Sequence, residues 1–481
     1  MNTVLSHRAP TTRADRSINS LTPLLIIVTA AIAVGVGTTS STSARAAVAV
    51  PAAALLLAVC LTSPRRAVIL LLMWLAVFGT VRRLLLPSGG SGGDDPLLLV
   101  APVVLGLLVL ISVHRGALSG QTRFTKSVLL LSGLVVAAAL NPLQGGLAVG
   151  AGGLLFVLVP LLWFWVGRSL VDDALLIRIL RLIGVLSALA AVYGLWQVYI
   201  GMPSWDQRWI DTKGYAALYV GRSVRPFASF ASSSEYVGLL SIGMLLWALH
   251  LSTARRAVPA AAVLVVLGWA ITVASVRHAL VVVPVALGVT FAARHGYGIA
   301  RTALVGATAL VLLALAVSQF DATRVGGAQT SALLSRQVTG LSDPFNRETS
   351  TLPGHIGSLV GGVQAGFRNP LGLGIGVVTI ANDRFGSSAI VQTDSDPSNV
   401  ALAMGIPGLL AYGAVVVGGL KLAFRYARSS RDFLTLAALG ISLVTVLSWL
   451  AGGNYAVAPL PWLVLGWLDR RAAIDDSLPP A

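Results

Sequence analysis

Charge is scarce in this 481-residue chain: only 11% of residues are Asp, Glu, Lys or Arg, and just 18 are acidic. An ordinary soluble domain carries about 25% charged residues, so a soluble globular protein is excluded. A single cysteine, Cys60, rules out an internal disulfide and a cysteine-ligated metal site. No basic soluble domain stands behind the net charge of +16. That charge therefore reads as loop charge facing anionic lipid and not as a nucleic-acid surface. Repeats of fixed period and long low-complexity tracts are also missing; Ser88 to Gly93 is a short flexible segment. What the chain has in abundance is apolar sequence, 56% of the total. It falls into blocks of about 15–22 residues, each long enough to cross a hydrocarbon core of ~30 Å as a helix.

The expected fold is all-α, a polytopic transmembrane helix bundle of about 12–14 spans. Candidate spans lie near 21–37, 45–61, 67–81, 96–113, 127–140, 145–167, 182–200, 235–251, 258–276, 279–293, 302–319, 399–420, 433–450 and 456–468. They divide the chain into a cytoplasmic tail (1–20), N-terminal spans (21–200), an external loop (201–234), central spans (235–319), a long external loop (320–398), C-terminal spans (399–468) and a cytoplasmic tail (469–481). Placing both termini inside puts most Arg and Lys on the cytoplasmic side, leaving only Arg45, Arg82, Arg83 and Arg277 in short external segments. The positive-inside rule thus favours a multi-pass plasma-membrane protein with cytoplasmic ends. Ala44-Arg45-Ala46 has the small-x-small form of a signal cleavage site, but thirteen further spans make a first anchor the simpler expectation.

Loops as long as 201–234 and 320–398 are uncommon unless functional or disordered. The first holds Trp205, Asp206, Trp209, Asp211, Tyr215 and Tyr219; the second holds Asp343, Glu348, His355, Arg368, Asp383, Asp394 and Asp396. Aromatic residues among polar ones suit a sugar surface, and equally an interfacial belt. The central turns of the spans carry almost no ionisable groups, so no proton or sodium coupling site is visible. Chemistry at an outer face lacks ATP and nucleotide sugars, which points to a donor already activated, a lipid carrying a diphosphate.

Arg222, Arg225 and Arg277 are the candidate cations, because a guanidinium grips phosphate oxygens at two points and stays charged. Their competing readings are a solvated loop charge for Arg222 and Arg225 and an interfacial snorkel for Arg277. His355 is the candidate base, set against a merely solvated loop imidazole. Asp394-Ser395-Asp396 has the Asp-x-Asp form that holds a divalent cation beside a diphosphate, but reads also as caps for the span that follows. Gly372-x-Gly-x-Gly376 follows no βα unit and reads as a turn with close backbone packing. Asp94-Asp95, after the Gly/Ser stretch, offers a polyprenyl-phosphate-dependent single-sugar transferase as another enzyme reading, or a solvated turn.

Three stretches together resemble the O-antigen ligase and O-antigen polymerase superfamily, which includes exopolysaccharide polymerases. Arg225-Pro226-Phe227-Ala228-Ser229-Phe230 is similar to the family's Arg-x-x-(Gly/Ala)-(Thr/Ser)-Phe segment. Ser275-Val276-Arg277-His278-Ala279 is similar to its Ser-Arg-Gly/Ala segment, here with Val276 interposed. The third runs from Glu348-Thr349-Ser350 through Gly354-His355, then Asn369 to Gly376, Thr393-Asp394, and Gly405-Ile406-Pro407-Gly408. The chain departs where many relatives have His-Asn, at Asp396-Pro397-Ser398-Asn399, and where they have an acid near Met404.

The resemblance implies a glycosyltransferase of cell-surface polysaccharide biosynthesis. Its donor would be a polyprenyl-diphosphate-linked glycan and its acceptor a glycan or glycolipid hydroxyl, with membrane lipids as further partners and no cofactor. Arg225 and Arg277 would hold the diphosphate and His355 would be the base. Arg222, Glu348, Arg368, Asp394 and Asp396 complete the expected substrate-binding set; ligases of this kind are regarded as metal-independent. A lipid-linked oligosaccharide flippase is the alternative from another class, and it would need a charged central cavity.

Overall fold

The computed structural model describes residues 43–85, 95–213, 218–252, 257–319, 321, 327–348, 350–379, 393, 395–450 and 457–475. Among them, eight helices are long and apolar enough to cross a membrane, and three shorter apolar helices accompany them. The chain is thus an all-α, multi-pass membrane protein. The expected first span, 21–37, lies outside the described residues.

The chain forms two compact units, 1–111 and 112–481. In the first, α1 (Ser43–Thr62) and α2 (Pro64–Leu84) meet at a corner where Pro64 opens the second helix, its missing N–H costing nothing in the first turn. Arg45 near the start of α1 and Arg82 near the end of α2 both reach Asp95, just before α3 (Leu97–His114). Asp95 is buried, not part of a solvated turn, and supplies the countercharge that lets two arginines sit there. Asp94 lies outside the described residues.

The second unit holds α4 (Arg123–Ala139), α5 (Leu147–Leu170), α6 (Asp173–Tyr199), α7 (Ser204–Lys213), a hairpin of β1 (Tyr219–Val220) and β2 (Ser223–Val224), α8 (Ser233–Leu251), α9 (Ala257–Val273), α10 (Arg277–Arg294), α11 (Ile299–Ser318), α12 (Ala328–Ser342), α13 (Leu352–Arg368), α14 (Asp396–Ser430), α15 (Phe433–Trp449) and α16 (Pro459–Asp475). The polar residues ahead of several helices act as caps. Thr122, Asp172, Ser232 and Asp432 accept from the backbone N–H groups of Thr125, Leu175, Glu235 and Thr435, meeting donors that an apolar medium would otherwise strand.

Close approach of α5 and α16 rests on two glycines. A Cβ at Gly167 would collide with the Leu463 carbonyl, and one at Gly466 with that of Phe164. Such contacts are how helices associate where lipid removes the hydrophobic drive between them. At that end Arg168 and Asp469, both buried, form an ion pair of 2.6 Å. Arg168 also donates to the carbonyls of Ala117, Ser119 and Gly120, while Asp469 accepts from the hydroxyls of Thr122 and Thr125.

The described residues of the two long loops include regular structure. Segment 201–234 contains α7 and the hairpin, and 320–398 contains α12 and α13. Leu333 and Leu334 of α12 pack with Val198 of α6 and Val273 of α9, so this helix is seated on the ends of two apolar helices.

Candidate functional site

Arg225 follows the hairpin and is fixed at both ends of its segment. Its backbone N–H donates to the Leu218 carbonyl at 2.6 Å, and its Nε donates to the Ala274 carbonyl at 3.2 Å, in the turn between α9 and α10. Immediately after it, Gln197 of α6, fully buried, accepts from the backbone N–H groups of Phe227 and Ala228 at 2.9 and 2.8 Å. Its amide nitrogen donates to Asp206 at 2.7 Å, and Tyr193 donates to the same carboxylate at 2.6 Å. Trp205 closes the network by donating to the Tyr193 hydroxyl at 3.0 Å. Trp205 and Asp206, in a stretch that suits a sugar surface or an interfacial belt equally, are tied into this network, where Asp206 is 0% exposed. Nothing in the spacing of Gln197 and Asp206 announced that network.

Two of the three described non-glycine residues with positive φ flank the arginines. Ala228 has φ 46° and Ser275 has φ 55°, conformations that cost an L-residue of order 1–3 kcal/mol each. In each case the neighbouring hydrogen bonds hold the strained turn and re-aim the chain just beside a guanidinium.

Arg277 opens α10, where its Nε donates to the Arg336 carbonyl of α12 at 3.2 Å. The guanidinium lies against Gly340, one turn further along α12, and a Cβ there would strike it. Arg336 itself reaches back to the Tyr219 carbonyl of the hairpin at 3.5 Å. Burial pushes the Arg225 guanidinium down to about 10, and the charges of Arg336 and Arg277 act in the same direction. Three guanidinium groups from three segments therefore share one neighbourhood. His278, next to Arg277, lies within electrostatic reach of both His355 and Arg225. His355, half-buried, sits in the first turn of α13, its N–H bonded to the Thr351 carbonyl.

Arg225, Arg277 and His355, separated by up to 130 positions in sequence, thus come to one end of the bundle, joined by His278 and Arg336, which sequence reasoning did not select. The other candidates are placed as follows. Arg222 is exposed at the hairpin tip and Glu348 is exposed in the turn after α12. Arg368 is exposed in the last turn of α13, which puts it about 20 Å along the helix from His355. Asp396 is half-buried in the first turn of α14, and Asp394 lies outside the described residues. Among the described residues no three His, Cys, Asp or Glu side chains gather in a way that would hold a metal ion.

The glycine-rich stretch is a backbone joint. Leu373 and Gly374 donate to the carbonyls of Leu402 and Ala403, and Ile406 donates to that of Pro370. Gly405, with φ 61°, interrupts α14 there, and a Cβ at Gly405 or Gly372 would strike the facing backbone. Asn141 and Gln144 bind Gly372 and Gly376 from the other side. This is the turn with close backbone contact that the sequence suggested. It ties the segment after α13 to the membrane helices.

No protein-family model matches the chain, and no curated protein matches it either.

Proposed function

We propose that this protein is a membrane glycosyltransferase. It moves a glycan from a polyprenyl-diphosphate donor to an acceptor sugar hydroxyl at the outer face of the plasma membrane, in the manner of the O-antigen ligase and polymerase superfamily. The observation that carries this reading is the shared neighbourhood of Arg225 and Arg277, with His355 in electrostatic reach of the adjoining His278, beside the ends of apolar helices. Clustered guanidinium groups suit an anion of high charge, and a donor whose tail stays among the helices presents its diphosphate at that depth.

In the reaction, His355 accepts the proton of the acceptor hydroxyl as the oxygen attacks the anomeric carbon. The new carbon–oxygen bond forms as the bond to the diphosphate breaks, and the leaving diphosphate takes the electron pair. Arg225 and Arg277 stabilise the charge that builds on it, with little reorganisation, because their hydrogen bonds to backbone carbonyls already orient them. Flippase activity would be expected to draw on charged groups along the spans, whereas the central turns hold almost none.

The test is transfer from a defined lipid-linked repeat by purified protein in lipid nanodiscs. His355→Ala and Arg277→Ala should each abolish product while leaving the folded fraction unchanged; full activity in both would remove the mechanism. Product formed only with added divalent metal would move the weight to Asp394 and Asp396. Translocation without covalent transfer would establish the flippase.

A further inference from the structure

The helix at 328–342 touches every part of the arginine cluster, though it belongs to a segment read from sequence as loop. At its start, Gln329 donates to the Val224 carbonyl at 3.3 Å, holding the hairpin strand that leads into Arg225. In its middle, Leu333 and Leu334 anchor it on Val198 and Val273, and Gln337 donates to the Thr272 carbonyl at 3.2 Å. Near its end, the Arg336 carbonyl accepts from Arg277, and Gly340 leaves the space that the Arg277 guanidinium occupies. Arg336 stands on the same helix between these contacts, with its own guanidinium directed at the hairpin backbone.

We propose that α12 is part of the diphosphate site: Arg336 is its third guanidinium, and Gly340 is a positioning residue that sets the direction in which Arg277 points. This rests on the reading of the site as a diphosphate site and adds residues to it. A diphosphate joined to lipid and glycan spreads its charge over oxygens on two phosphorus atoms, so a third cation favours it over a monophosphate. Any side chain at Gly340 pushes the Arg277 fork away while leaving its charge nearby. That difference separates direction from mere charge.

The experiment measures binding of a fluorescent prenyl diphosphate, and of the matching prenyl monophosphate, to the full chain in nanodiscs. Wild type should prefer the diphosphate. Arg336→Gln should lose about tenfold in diphosphate affinity and little for the monophosphate, the size expected for one charged hydrogen-bonding group. Gly340→Ala should weaken diphosphate binding in the wild-type background and have no further effect on an Arg277→Ala background, because it acts through that side chain. An equal loss in both backgrounds overturns the positioning role. Unchanged diphosphate affinity in folded Arg336→Gln overturns the third cation. Should that variant fail to fold, Arg336→Lys decides: a loss of about two- to fivefold is expected, since an ammonium cannot fork two oxygens, and unchanged affinity overturns the assignment. A wild type that shows no preference for diphosphate removes the functional reading and this one together.

Discussion

Arginine is used in opposite ways at two places in the larger unit. Arg168 is buried, paired with Asp469, and surrounded by the carbonyls of Ala117, Ser119 and Gly120. Its charge is answered by groups of its own fold, so it serves as a joint between α4, α5 and α16. Arg225, Arg277 and Arg336 instead lie near one another, and the charges of the other two add to the cost of charging the buried Arg225. Backbone carbonyls accept from each of them, Ala274 from Arg225, Arg336 from Arg277 and Tyr219 from Arg336, and these bonds orient the guanidinium groups. A buried cation that is matched by an acid stabilises a fold, and cations gathered together prepare a place for an anion. Residue type and burial alone do not separate the two; the neighbours do.

The comparison breaks first at His355. His355→Ala should lower the rate of glycan transfer by about 10²–10⁴ and leave thermal unfolding of the purified protein where it was, the loss expected for a positioned base. Asp469→Ala should do the reverse, costing about 3–5 kcal/mol of stability by leaving Arg168 buried and unanswered, and lowering the folded yield in proportion. If Asp469→Ala folded as well as wild type, the view of that end as a structural joint would fail.

Gln197→Ala belongs between the two. It strands the Phe227 and Ala228 N–H groups and loosens Asp206, so a stability loss of about 1–3 kcal/mol should come with weaker donor binding through Arg225. A variant that loses stability but keeps its donor KM would show that the network does not aim Arg225.

Much of this was legible in the chain, for different reasons in different places. The spans announce themselves because a lipid core demands long apolar blocks. The two motif arginines and His355 were singled out as candidates through the order of short segments. Arg336 and Gly340 were missed because 320–398 was read as loop, although Leu333, Leu334 and Val338 carry the i, i+4 spacing of a helix with one apolar face. Gln197 and Asp206 had no local signal at all. They sit near the end of α6 and the start of α7, and only the fold brings the Arg225 segment against them. Arg368 shares α13 with His355 but lies at its other end, a separation that a reading of 320–398 as loop could not show.

The smallest effect is set by pH. Burial and the neighbouring cations bring Arg225 down to about 10, well below the usual arginine value. Between those values the unfolded chain still holds a proton that the folded protein has released, so stability rises with pH across that window; below about 10 the cost of burying the charge is fully present. Donor binding moves the other way, because it needs the charge. The donor KM should therefore be flat through neutral pH and climb only as the pH passes about 10. Arg225→Lys sharpens this, since an ammonium starts near 10.4 and the same burial takes it lower. Its KM should start to climb about one or two pH units earlier, reaching a difference from wild type of about two- to fivefold near pH 9. Parallel pH profiles for the two proteins would mean that Arg225 does not meet the donor as a buried cation.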